Sequence, residues 1–448
     1  MKVCKFGGSS VATAEMLKKV AKIISSDPER KFIVVSAPGK RSGDDEKVTD
    51  LFIRLSEQYV SGQNYKGTLT KILERFISIT DELNLNRDVV TRIESDIEDI
   101  LNNIHNTWHM TDALKAMGED SLARILSTYL NKLNINATYV NPKDAGIIVS
   151  NEPGSAQILE KSYEKIYQLR NREGILVIPG FFGYTEQGVL VTFPRGGSDI
   201  TGSIIAAGVK ADLYENFTDV SSVYCVNPNF VKQPKEISVL TYKEMRELSY
   251  AGFSVFHDEA LIPAFKKNIP VCIKNTNDPS AKGTLIVANK KEQNGPVVGI
   301  ASDRGFSTIF VSKFLMNREL GFGKNLLNIL VEENVSFEHA PSGIDDMSVI
   351  VRSHQLTKEK EETLISRIKH ELNADTVSIT HGLAIIMLVG EGMGRRINVA
   401  AKATKALGNA NINIEMINQG SSEVSMMFGI REHDLEKAVR ELHKEFFE

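Results

Sequence analysis

Over roughly the first 290 residues the chain alternates short apolar runs with segments of helical period. "KFIVVSA" (31–37), "ATYVN" (137–141), "GILVIPGFFG" (174–183) and "IPVCIKN" (269–275) are rich in β-branched residues and bounded by Pro, Gly or Asn. That is the pattern of buried strands in an α/β sheet. Leu17, Val20, Ala21 and Ile24 recur at i, i+3, i+4 and i+7, which predicts one buried helix face. Residues 47–133 read as helix almost throughout, a long insertion able to cap a site. The polar stretch "NKKEQNGP" (289–296) has no apolar period and ends in Gly-Pro, so a linker is expected there.

Beyond that stretch the pattern repeats. "ENVSFEHAPSGIDDMSVI" from Glu333 and "ANINIEMINQGSSEVSMM" from Ala410 align at an offset of 77 residues, matching Asn334 with Asn411, Glu338 with Glu415, Gly343 with Gly420 and Ser348 with Ser425. Upstream, "TIFVSKFL" (308–315) faces "IIMLVGEG" (385–392) at the same offset. Each copy reads strand, helix, strand, glycine turn, strand, which predicts two small βαββ-type modules. The expected division is 1–292 and 293–448. The first module covers about 307–378, and the second about 379–448 plus a strand from 293–306.

A chain of 448 residues exceeds one ordinary core, and 42% apolar with 25% charged residues excludes a disordered protein. A net charge of −4 provides no basic field, so neither nucleic acid nor a membrane surface is an expected partner. Cys4, Cys225 and Cys272 lie far apart without zinc or disulfide spacing. No apolar segment follows the first lysines and none reaches the roughly 18 residues of a membrane span. The expected location is cytoplasmic.

Two turns carry candidate chemistry. In "KFGGSSV", Lys5 precedes Gly7, Gly8 and Ser9 at the end of a strand-like run, where free backbone N–H groups and a cation suit phosphate oxygens. The pattern is neither the P-loop nor the dinucleotide fingerprint, and a plain strand-to-helix turn with a serine cap fits it equally well. In "FPRGGSDITGS", Arg195 precedes Gly196, Gly197, Ser198 and Asp199 before a helix of small residues. A β-turn capped by Asp199 is the plain alternative, but a second cation-Gly-Gly-Ser turn weakens it. Arg195 can fork onto a carboxylate, and Asp199 can hold a metal or orient a lysine. Nine histidines occur without ligand spacing, and no serine-hydrolase elbow is present.

"KFGGSS", "PRGGSD", "TDV" followed by Tyr224, "IKNT" near 274 and the two C-terminal repeats ending in "GSSEVSMMF" together resemble the aspartokinase family over residues 1–448. The resemblance implies an amino-acid-kinase fold, an α/β domain with a parallel central sheet and helical insertion, followed by two ferredoxin-like βαββαβ ACT modules. The long helical insertion and the overall pattern look most like the monofunctional, lysine-sensitive type, and a fused homoserine dehydrogenase, which would need several hundred more residues, is not expected. It implies phosphoryl transfer from ATP, with Mg²⁺ carried by the nucleotide, to the β-carboxylate of L-aspartate at the head of lysine, threonine and methionine biosynthesis.

Carried over by residue, Lys5, Gly7, Gly8 and Ser9 match the phosphate turn. Ser36, Thr49, Glu119, Arg195 and Ser198 match aspartate contacts. Thr218, Asp219 and Tyr224 match nucleotide contacts, and Asp199 matches the acid that organises the catalytic lysine. The nucleophile, an aspartate carboxylate of ordinary pKa near 3.9, needs no general base. Met316, Phe322, Ser336, Phe337 and Glu338 match the effector site, with lysine, alone or with threonine, as the implied effector and a homodimer or dimer of dimers as the implied assembly. Glu415 holds the place of Glu338 in the second repeat, so a shared structural role is an equal alternative for Glu338.

The chain departs from the family at Ser222, Asn227 and Asn229 in one nucleotide motif and at Ser254 and Asp258-Glu259 in another. Lys274 or Lys232 are the candidate replacements for the missing cations. Two other readings fit less of the sequence: another amino-acid kinase of the same fold, such as an acetylglutamate or glutamate 5-kinase, and an effector sensor with a decayed kinase domain.

Overall fold

The computed structural model describes residues 1–253, 259–290, 295–420 and 424–448. Ser254 and Asp258, two of the departures above, and part of the expected linker lie outside the described residues. The chain forms two compact units: Met1–Val223, Glu236–Met245 and Val255–Lys291 in one, and Tyr224–Lys235, Arg246–Ser254 and Glu292–Glu448 in the other.

The first unit is built on β1 (Lys2–Phe6), β2 (Arg30–Val35), β3 (Ala137–Tyr139), β4 (Ile175–Pro179), β5 (Leu213–Thr218), β6 (Val239–Thr241), β7 (Val271–Asn275) and β8 (Thr284–Val287). They form one eight-stranded sheet in the order β6-β8-β7-β5-β1-β2-β4-β3. All neighbouring pairs are parallel except β7 with β8. Strands buried on both faces explain the continuous apolar runs of the sequence. α1 (Ala14–Ser25) buries Leu17, Val20, Ala21 and Ile24, and the Thr13 side chain accepts from the Met16 N–H at its start. The helical insertion is α2 (Val48–Val60), α3 (Lys66–Glu82), α4 (Asp88–Asn103) and α5 (Thr107–Lys132). α5 is buried around most of its girth, so its sequence lacks a polar stripe. α6 (Gly197–Gly208) is likewise almost wholly buried, which its small residues allow.

The second unit contains β9 (Gly299–Ser312), β10 (Phe337–His339), β11 (Asp346–Arg352), β12 (Thr376–Val389), β13 (Met416–Asn418) and β14 (Ser425–Arg431), in the order β10-β11-β9-β12-β14-β13. The two 14-residue strands pair antiparallel over their length, from Gly299 opposite Val389 to Ser312 opposite Thr376. Each is divided between the copies. Phe306–Ser312 with α7 (Phe322–Glu332), β10, β11, α8 (Lys358–Glu371) and the start of β12 form the first βαββαβ motif. The end of β12 with α9 (Val399–Asn409), β13, β14, α10 (Leu435–Phe447) and the start of β9 form the second. The repeat extends to the backbone: Gly305 and Gly382, Asn334 and Asn411, and Gly321 and Asn398 all have positive φ and are each 77 residues apart. No helix among the described residues is long and apolar enough to cross a membrane.

Candidate active site

The site grows from β1. Register places Lys5 opposite Val34 of β2 and Asn216 of β5. Lys5 is buried, and its Nζ lies 2.6 Å from Oδ1 of Asp199 in the first turn of α6. Asn216 donates from Nδ2 to the same Oδ1 at 2.5 Å and lies 3.3 Å from the Tyr214 hydroxyl. A lysine taken out of water is thus held by one carboxylate that a buried amide fixes in place.

After β1 the backbone turns through a single 3₁₀ turn, Gly8–Val11, before α1 begins. Gly7 donates to the Phe217 carbonyl at 3.0 Å, and the Gly39 N–H donates to the Gly8 carbonyl at 2.9 Å. Ser9 is exposed. The 38–47 loop across this turn is pinned from α3, since buried Arg75 donates to the Gly39 carbonyl at 2.6 Å and also pairs with Asp45. Arg41 forks onto the same carboxylate at 2.9 Å, and with Arg75 it holds the Asp45 carboxyl well below the usual range. Ser36, at the end of β2, and Thr49, in the first turn of α2, flank this loop and are half-buried.

Glu119 projects from α5 into the protein interior. α5 approaches so closely that a Cβ on Gly118 would lie 2.7 Å from the Ala37 methyl, so only glycine fits. Oε1 of Glu119 accepts from the Ser198 hydroxyl at 3.4 Å, while Oε2 is buried without a partner. Burial pushes the carboxyl up to about 8, against hydrogen bonds from backbone and Ser198 and the nearby Lys5 charge. Arg195 is exposed and makes no ion pair or hydrogen bond among the described residues. Next to it, Gly196 has φ 82° and opens α6. The arrangement is a fixed cation, an unsatisfied buried carboxylate and a free guanidinium around loops with accessible backbone. It can hold an amino acid by both charges and place a polyanion against a lysine.

Thr218 and Asp219 follow at the end of β5, the Thr218 hydroxyl 3.2 Å from Oδ1 of Asp219. Tyr224 belongs to the second unit and is half-buried there. The hydroxyl of buried Ser222 donates to Glu236 at 3.0 Å, which gives the serine at that position a local structural partner. Lys274 donates to the Ala281 carbonyl at 2.7 Å, and Lys232 is exposed.

In the second unit, Met316 and Phe322 are buried in the core of the first repeat. Ser336 donates through N–H and hydroxyl to Oε1 of Gln355 at 2.8 and 3.0 Å, and Phe337 is exposed. Glu338 accepts from the Tyr250 hydroxyl and lies 3.2 Å from Arg352 Nε. Glu415 and Arg431 form the matching pair at 3.2 Å in the second repeat. Three residues escaped the sequence reading. Asn216 was visible as a polar residue inside a buried strand, and Arg75 as a cation on the buried face of an amphipathic helix. Phe181 has φ 79°, a strained value for a bulky residue, and its N–H donates to Thr201 Oγ1 at 3.0 Å. Nothing in its sequence signals that strain.

The model of the amino acid kinase family matches residues 1–275, and an ACT domain model matches residues 386–446. The chain is 55% identical to aspartokinase 3 of Bacillus subtilis (strain 168), over 100% of this chain and 99% of that one. It superimposes on the crystal structure of Clostridium acetobutylicum aspartate kinase with a TM-score of 0.90 at 40% identity, each chain covered in full. Escherichia coli aspartokinase III is similar at 25% identity over both full chains, with a TM-score of 0.79 for its complex with aspartate and ADP and 0.80 for its complex with lysine and aspartate.

Proposed function

This chain belongs to the aspartokinases of the amino acid kinase family, and from that premise we propose how its own residues divide the work. The reaction moves the terminal phosphoryl group of ATP to the β-carboxylate of L-aspartate, giving 4-phospho-L-aspartate in the first step of the aspartate pathway, under allosteric control through ACT domains.

The observation that carries the assignment is Glu119, a buried carboxylate with one oxygen lacking a partner. A carboxylate desolvated in this way is stabilised by a cation brought by a ligand. We assign it the α-ammonium of aspartate, with Ser36, Thr49 and Ser198 completing the pocket and Arg195 clamping the α-carboxylate. Lys5, oriented by Asp199, faces the ATP phosphates. Gly7, Gly8 and Ser9 line their approach, with the N–H groups of Gly8 and Ser9 as the donors because the Gly7 N–H is bound to the Phe217 carbonyl, and a Cβ on Gly8 would already lie 3.1 Å from the Ala37 carbonyl. Thr218, Asp219 and Tyr224 hold the nucleotide. Mg²⁺, carried by the phosphates, supplies charge neutralisation when bound. Two anions must meet, and the protein's share is to position the carboxylate and stabilise charge on the group in flight.

For regulation we propose lysine, alone or with threonine, as effector at the first ACT repeat, because aspartokinase III of E. coli is known in complex with lysine. Met316, Phe322, Ser336, Phe337 and Glu338 are its candidate contacts. Exposed Phe314, Leu320 and Ile344 at 72%, 100% and 70% support a contact between first repeats in a homodimer or dimer of dimers. The deciding assay incubates the protein with Mg-ATP and a panel of amino acids and traps acyl phosphate with hydroxylamine. Hydroxamate is expected with aspartate, and product only with glutamate or acetylglutamate would overturn the assignment. Millimolar lysine and threonine that leave both rate and melting temperature unchanged would remove the regulatory part.

A further inference from the structure

A cavity of about 600 Å³ opens along α4 and α5, within the usual range for small-ligand sites. It is separate from the residues assigned to aspartate and ATP, none of which lines it. Glu119 belongs to the active site, while the next residue on α5, Asp120, belongs to this cavity. Ile100, Ile104, Ala116, Met117, Phe182 and Leu190 give it apolar walls. Among the described residues its charges are unbalanced: Asp96, Asp99 and Asp120 line it against one guanidinium, Arg124, and no lysine.

That guanidinium is already committed, at 2.8 Å from Asp96 and 2.8 Å from Asp120, and the Tyr139 hydroxyl also bonds to Asp120. Asp99 is exposed and has no partner among the described residues. Three residues beyond Asp96 on α4, it shares that helix face. His105 and His109 are the histidines among the described lining residues, and His109 Nε2 is 3.1 Å from Asn151 Oδ1. The lining repels an anion, and its apolar walls favour an aliphatic body over water.

We propose that this cavity binds a small organic ammonium, a primary amine on a short aliphatic chain, with the methylenes against Ile100, Ile104 and Met117 and the cation between Asp96 and Asp99. A nearby cation also relieves Asp120, whose carboxyl burial pushes up despite Arg124. The inference is independent of how phosphoryl transfer is assigned, since it uses no residue of that site.

The chain carries its own reporter. Trp108, its one tryptophan, is 73% exposed in the first turn of α5, between the lining residues Asn106 and His109. The full-length protein is titrated with n-butylammonium while Trp108 emission is followed, with n-butanol as neutral isostere and butyrate as anion. A saturable change with the ammonium is expected, weaker by about tenfold with butanol and absent with butyrate. Asp99→Asn, an exposed substitution that leaves packing alone, is expected to weaken the ammonium response about threefold. Ala116→Phe fills the cavity and is expected to abolish it. No saturable change, an equal response to butanol, or a response unchanged in Asp99→Asn would each overturn the proposal, even if Ala116→Phe fails to fold.

Discussion

Two partly exposed carboxylates of the second unit and one buried carboxylate of the first are held in opposite ways. In the second, Glu338 and Glu415 each sit beside an arginine at the end of the same strand of their repeat, Arg352 and Arg431. In the first, Glu119 is more deeply buried and keeps an oxygen with no partner. A fold that only needed stability would pair Glu119 as it pairs the other two, because an orphaned buried acceptor costs about 1–3 kcal/mol. The contrast separates carboxylates with an arginine partner from one whose free oxygen suits the ligand role proposed for it. It also bears on regulation, since a lysine ammonium reaching Glu338 must compete with Arg352 and Tyr250.

The severest test removes the cation on the phosphate side. Lys5→Ala leaves the aspartate pocket intact and is expected to lower kcat by about 10²–10³-fold with aspartate binding by calorimetry little changed. Near-normal turnover would refute its role. Next comes the orphan itself. Glu119→Gln removes the charge but keeps the shape, and the KM for aspartate is expected to rise about 10²-fold. Its titration adds a signature. The folded pKa, about 8, is above the unfolded value near 4.5, so between those limits the folded state holds more protons and stability falls as pH rises. Aspartate binding in turn favours the ionised form, so its KM is expected to fall as pH rises from 6.5 towards 8. Glu119→Gln should flatten both profiles; a slope that survives would assign the titration elsewhere.

These residues differ in how far the sequence announces them. The strands, the helical insertion and the repeat are written in periodicity, because burial on one face or both forces apolar spacing. The two Gly-Gly-Ser turns were visible as punctuation, and the resemblance pointed to Lys5, Glu119, Arg195 and Asp199 as one set. Their geometry was not visible. Nothing in "MGED" says that Gly118 lets α5 approach Ala37, or that Glu119 faces one site while Asp120 lines another cavity. Such facts depend on tertiary approach, which single-residue patterns do not encode. The Glu338–Arg352 pair was likewise hidden, as its partners are 14 residues apart on adjacent strands.

A milder change probes the support of Lys5. Asn216→Ala deletes the amide that fixes Asp199 without touching either charge, and a fall in kcat of about tenfold is expected with the KM for aspartate held. A purely structural amide would lower the melting temperature and leave kcat alone.

The smallest effect separates the two repeats. Glu338→Gln and Glu415→Gln weaken matching, partly exposed ion pairs, so each is expected to cost about 0.5–1 kcal/mol in chemical denaturation. If both glutamates serve only their repeats, the two variants should respond identically to lysine. If Glu338 also receives the effector, Glu338→Gln alone should raise the lysine concentration needed for half-inhibition, while Glu415→Gln keeps the original value. Since the paired arginine is present in both copies, this comparison cancels the arginine's contribution and leaves the Tyr250 hydrogen bond specific to Glu338, and equal inhibition curves would remove Glu338 from the effector site.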